Sequence, residues 1–171
     1  QIKFKKNWSK NIYIAYSELN SFITDLDLQS IYDNHEIIKT LSKLYKEHYF
    51  DLLGSGWSKI EDQKRKILKD DNYKSIEWHC DINSRYRWDS KIWYTKIKDL
   101  INHGRDIKVP WELSRMQHLT IFCWAYHLAE KNYEGFKSKD FYLEEFKRQV
   151  LDFISSNPPY YGINWTCAME V

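Results

Sequence analysis

The chain lacks an excess of either charge, a disulfide pattern and a long apolar run, and each absence removes a class of protein. Lys plus Arg number 26 against 24 Asp plus Glu, so no large field draws the chain to nucleic acid. The Lys59–Lys69 stretch is locally basic, but Glu61, Asp62, Asp70 and Asp71 dilute it into a solvated face. Three cysteines, Cys80, Cys123 and Cys167, are odd in number and far apart, which gives no disulfide framework and no zinc-ligand spacing. The longest apolar-leaning stretch, Leu119 to Ala129, contains His127 and falls far short of the roughly 20 residues a membrane helix needs. The N-terminus, Gln1-Ile2-Lys3-Phe4, opens no signal-peptide pattern. Glycine and proline are scarce, five and three, and no alternation of strands and helices suggests a parallel sheet.

Aromatic residues are abundant. Eight Trp, thirteen Tyr and eight Phe bring them to 17% of 171 residues, within a globular balance of 43% apolar and 29% charged. Such rings fill large helical cores, and they also stack on the apolar C–H faces of sugars while keeping a polar handle for hydroxyls.

Periodicity predicts helices. Leu19, Phe22, Ile23 and Leu26 share a face over 17–28. Residues 30–53 form a firmer helix, or two divided at Asn34, ended by Gly54. Residues 54–88 fit neither period and form the longest irregular segment. Asp89 or Ser90 caps a helix to Leu100, with Ile92, Trp93, Ile97 and Leu100 inward. Pro110 suits the first turn of a helix running to Lys131. Ser138 or Asp140 opens the next, whose apolar side is Phe141, Leu143, Phe146, Val150, Leu151, Phe153 and Ile154, ended by Asn157-Pro158-Pro159. A turn at 162–165 leads into a further helix start, where Trp165, Met169 and Val171 are expected to present apolar surface. The fold class is all-α, in antiparallel helical hairpins.

The stretch Lys108-Val109-Pro110-Trp111-Glu112-Leu113-Ser114-Arg115 carries the densest chemistry. On one continuous helix, Trp111, Arg115, His118 and Phe122 share a face that holds an aromatic plate, a guanidinium and an imidazole. Such a stripe can recognise a ligand, or it can lock one hairpin to the next through an Arg115–Glu112 pair.

Three segments together resemble the N-terminal domain of the heparinase II/III family of polysaccharide lyases. They are Glu77-Trp78-His79-Cys80-Asp81 with Arg87-Trp88; Asp106 to Arg115 with His118-Leu119; and Asn157-Pro158 with Gly162-Ile163-Asn164-Trp165-Thr166-Cys167-Ala168-Met169-Glu170. His48 to Gly56 resembles the approach to that region. The resemblance covers most of residues 45–171, and its central segment is the specific one. It implies that 1–171 is part of an incomplete (α/α) toroid whose remainder, with a β-sandwich domain, lies outside the chain. It further implies β-elimination on uronic-acid polysaccharides and a periplasmic or secreted setting.

That chemistry needs a carboxylate neutraliser, a base and an acid. The family's Asn or His, Tyr and His for these roles are expected beyond Val171, so no catalytic residue, metal or cofactor is assigned. The expected partner is an acidic polysaccharide, with no nucleic acid and no membrane. The expected substrate-binding residues are Trp111, Arg115, His118, Asn164 and Trp165, with Arg115 offering a bidentate fork, the two indoles stacking on sugar, and Glu112 orienting Arg115. Trp111, Arg115 and Trp165 are expected near one another on the concave face. The alternatives are a non-catalytic glycan-binding or structural helical domain and, last, a glycoside hydrolase, which would need a pair of carboxylates that Glu112 alone does not make.

Overall fold

The computed structural model describes residues 25–61, 73–98, 101–102 and 104–167. Residues 17–24 of the helix expected over 17–28, most of the basic run at 59–69, and the Met169–Val171 patch lie outside these residues. The chain divides into two units, residues 1–36 and 37–171.

In the first unit, α1 (Asp25–Asp33) stops at Asn34, whose backbone N–H and side-chain amide both donate to the Ser30 carbonyl. The break anticipated at Asn34 is therefore real, and α2 (His35–Lys46) is a separate helix. α2 also ends earlier than Gly54, because His48 takes φ 58 and turns the chain out of the helix. Tyr49–Phe50 (β1) then pairs antiparallel with Ser58–Lys59 (β2).

Residues 47–107 contain no α-helix among those described. Over the described residues 89–98 of the helix expected at 89–100 there is instead a single 3-10 turn at Tyr94–Lys96. The residues before that turn are held extended by another strand-like segment: Tyr94 N–H donates to the Tyr160 carbonyl and Gly162 N–H to the Ile92 carbonyl. Asp89 Oδ1 accepts from Lys91 N–H at 2.8 Å, closing a local turn instead of capping a helix. A second short ribbon joins Ile101–Asn102 (β3) to Arg105–Asp106 (β4).

The predicted helix 110–131 is two. α3 (Lys108–Ser114) and α4 (Leu119–Glu130) are separated by Met116 at φ 54. Pro110 still falls in the first turn of α3, where a missing N–H costs nothing. α5 (Lys139–Ser156) begins after Ser138 and stops before Asn157-Pro158-Pro159, as the sequence indicates. α4 and α5 form a helical hairpin, and a last 3-10 turn, Ile163–Thr166, returns the chain to α3. The described part is thus mostly α-helical with two short ribbons. No described helix is long and apolar enough to cross a membrane.

The main core is supplied by the irregular segment: Phe50, Leu52, Ile60, Ile76, Trp78 and Ile82 pack on Val109 and Leu113 of α3. Phe153 of α5 meets the Trp78 ring edge-on at 5.1 Å. α5 reverses the expected orientation. Its buried residues are Tyr142, Glu145, Gln149, Asp152 and Ser156, while Leu143, Leu151 and Ile154 are 37%, 50% and 61% exposed. The reason lies in the partner. An irregular segment leaves backbone donors and acceptors outside any ladder, and these need side-chain partners when buried. Asp152 Oδ2 accepts from Ile76 N–H at 2.7 Å and from the Tyr73 hydroxyl at 3.0 Å. Gln149 Nε2 donates to the Tyr45 carbonyl at 3.2 Å and to Glu145 Oε1 at 2.8 Å.

Candidate functional site

The five expected binding residues occupy three different environments. Trp111 is half-buried, and its indole N–H donates to the Ile163 carbonyl at 3.0 Å, which fastens α3 to the final 3-10 turn. This brings the Trp111 and Trp165 segments together, as the return of the chain at 157–165 suggests. Arg115 stands at the C-terminal cap of α3, its side chain 36% exposed, with Nη1 2.7 Å from Glu112 Oε2. The orienting role expected of Glu112 has its geometry.

His118 and Asn164 point inward. With the helix broken at Met116, His118 no longer continues the Trp111–Arg115 face. Its ring lies between Tyr45 and Phe50, at 5.5 and 4.9 Å, and Nε2 is 2.9 Å from Gln149 Oε1. Burial pulls its pKa down to about 4, against the pull of the Gln149 hydrogen bond. Asn164 is 2% exposed and donates to Asn157 Oδ1 at 2.7 Å, tying the turn after α5 to the end of the chain. Both brace the fold from within instead of presenting a polar group at the surface.

The Glu77-Trp78-His79-Cys80-Asp81 segment is buried throughout. Asp81 accepts from Asn83 N–H, the Ser84 hydroxyl and Asp106 N–H, so it folds its own loop onto β4. Burial also pushes the Cys80 thiol up, away from a reactive thiolate.

Sequence reasoning missed the company Trp165 keeps. Its ring lies 5.3 Å from Tyr160, which lies 5.4 Å from Trp93; Trp93 meets Tyr161 edge-on at 5.5 Å and Tyr94 at 5.9 Å. Trp93, Tyr160 and Tyr161 are 39%, 53% and 40% exposed, so the cluster is a surface and not a core. It stands on the backbone pairing of 92–94 with 160–162, and Tyr160 is held at φ 69 within it. The exposed Lys91, Lys96 and Lys98 occur on the same segment as Trp93. Reading 89–100 as a helix hid this face, because it turned Trp93 inward. An aromatic surface of this kind can stack against the apolar face of a ligand or of another protein.

Two adjoining polar cavities lie elsewhere, one of about 200 Å³ lined by Glu77, Cys80, Arg85 and Arg87, the other of about 100 Å³ at His48 and Tyr73. Among the described residues no group of three His, Cys, Asp or Glu side chains is arranged for a metal ion. Compared with protein families, curated proteins and solved structures, the chain matches none.

Proposed function

We propose that this chain is the N-terminal helical part of a polysaccharide lyase of the heparinase II/III kind. In this reading it supplies part of the cleft for an acidic glycan, while the groups that perform β-elimination lie elsewhere. The single observation that carries the binding half is the exposed aromatic surface of Trp93, Tyr160 and Tyr161, with half-buried Trp165 stacked beside it. Rings stack on sugar C–H faces, and Lys91, Lys96 and Lys98 complement acidic substituents. The order of the three resembling segments supports the lyase half. In an incomplete (α/α) toroid the α4–α5 hairpin is one repeating unit, and outward Leu143, Leu151 and Ile154 give it an apolar side for a neighbouring hairpin. Arg115, oriented by Glu112, would meet a carboxylate or sulfate of the glycan, with His118 and Asn164 bracing the elements beneath.

Titration of a heparin-derived oligosaccharide, followed by calorimetry, tests the binding half. Trp93→Ala and Trp165→Ala are expected to weaken binding about tenfold each, the effect of losing roughly 1.4 kcal/mol of ring contact, without a matching loss of thermal stability. Arg115→Ala is expected to cost about 1.5–3 kcal/mol of binding, with lysine restoring part of it. Equal binding of a neutral oligosaccharide, or unchanged affinity in all three variants, defeats the reading. A non-catalytic glycan-binding domain is separated from the lyase by assaying the full-length protein for the ultraviolet absorbance of unsaturated uronate ends.

A further inference from the structure

The cavity at His48 stands apart from the aromatic surface and draws on different residues. Its inner wall is His48, Tyr73 and Glu145, and its cations are Lys46, Lys59, Lys74 and Arg148. The His48 and Glu145 side chains are 4% and 3% exposed, whereas Lys74 at the mouth is 68% exposed. Neither ring nitrogen of His48 has a hydrogen-bond partner among the described residues. Glu145 Oε1 is 3.9 Å from Nε2, beyond hydrogen-bond reach, and the Tyr73 ring meets the imidazole edge-on. A buried N–H left unpaired costs on the order of 1–3 kcal/mol. The His48 side chain is part of the lining of a cavity of about 100 Å³, large enough for one small group.

The charges set the sign of that group. Burial first, then Lys46, His118, Lys59 and Lys74, pulls the His48 pKa down to about 3, so several positive or basic groups converge on a neutral ring. The acids in the lining are already engaged. Glu61 lies 3.0 Å from Lys59 and 3.6 Å from Lys74, and Glu47 lies 3.7 Å from Lys46. Glu145 accepts from Gln149, and burial raises its pKa, which disfavours the carboxylate.

We propose that this cavity binds a small oxyanion group, a sulfate or phosphate, which accepts the His48 N–H and is neutralised at the mouth by Lys74 and Arg148. The larger cavity shares Lys59 and Glu61 with it and is lined further on by Arg85 and Arg87, cations that suit a second anionic substituent.

Inorganic sulfate, inorganic phosphate and a heparin-derived disaccharide are titrated while the His48 ring resonances are followed by NMR. Saturable shifts of those resonances are expected, with a rise in the His48 pKa from about 3, since an adjacent anion favours the imidazolium. Lys74→Glu, at an exposed position, should weaken binding about tenfold or more. His48→Asn suits the left-handed backbone there; because it removes the NMR reporter it is titrated by calorimetry, where it should abolish the saturable binding that the wild type shows. Tighter binding of the disaccharide than of sulfate, lost in Arg87→Glu, identifies a glycan substituent as the source; equal binding identifies a free ion. Unmoved His48 resonances with both inorganic anions, or full affinity in Lys74→Glu, overturn the proposal. The aromatic variant Trp165→Ala should leave this titration unchanged, so the glycan reading and the oxyanion site fail separately.

Discussion

His118 shows how far a side chain's role depends on what the backbone does beside it. In the sequence it is a polar residue three positions after Arg115, on the same face of one continuous helix. The positive φ of Met116 redirects it between Tyr45 and Phe50. A histidine buried neutral couples folding to pH. Its folded pKa, about 4, lies below the ordinary 6.5, so the unfolded chain binds more protons between these values. The stability it contributes is therefore present above pH 6.5 and is lost as pH falls toward 4, on the order of 3 kcal/mol. Glu145 and Asp152, raised by burial, act in the opposite direction over the acid range. Denaturant titrations from pH 7 to pH 4 should show a shallower pH slope in His118→Gln than in the wild type. An identical slope would mean that His118 is not the linked group. Gly162 is the second residue-scale test. At φ 80 a Cβ would sit 2.4 Å from His79 Nε2, so Gly162→Ala should cost about 3 kcal/mol, combining backbone strain with a clash. A loss under 1 kcal/mol by chemical denaturation would show that this corner yields easily.

At the level of elements, some helix ends were legible, others such as the stop expected at Gly54 were not, and the orientation of the last helix was not. Asn34, Ser138 and Asn157-Pro158-Pro159 punctuate the chain where the backbone does, because caps and prolines act locally. The split at Met116 carries no such punctuation, and it divides the expected Trp111–His118 stripe. The span 89–100 has a helical spacing of apolar residues, yet hydrogen bonds to 160–162, distant in sequence, claim its backbone. α5 inverts the usual rule that the apolar side faces in, since the segment it covers needs hydrogen-bond partners more than apolar contact. Gln149→Leu, an apolar substitution at a fully buried position, should therefore destabilise by about 2–4 kcal/mol, because His118, the Tyr45 carbonyl and Glu145 each lose a partner. Ile154→Gln on the outward side should stay within about 0.5 kcal/mol. Thermal melts of the two variants decide the matter, and a reversed ranking would refute the inverted orientation.

Across the whole molecule, composition announced aromatic abundance without saying where the rings would go. Trp78 and Trp88 fill cores; Trp93 and Trp165 join an exposed cluster; Trp111 fastens two elements. The candidate site was half legible. Arg115 is exposed and Trp165 half-buried, but the Tyr160–Tyr161 pair and Trp93 belong with Trp165 only through the pairing of Trp93 with Tyr161, 68 residues apart. His48 gave no signal in the sequence either, since its cavity is assembled from residues spread between 46 and 148.

The inward face of α5 also limits how this helix can change. Gln149 and Asp152 meet fixed partners outside the helix on successive turns, in the way the cuts of a key meet their pins, and Glu145 and Ser156 hydrogen-bond to them within it. Inserting one residue before Glu145 would rotate every later position by about 100° around the axis. Leu151 would then approach the Ile76 amide, and the carboxylate would swing toward solvent. An apolar stripe tolerates such slippage by degrees, because one hydrocarbon replaces another. A stripe of directional donors and acceptors does not, so substitutions in α5 should come as matched changes with the loop, and insertions should be found only beyond its ends.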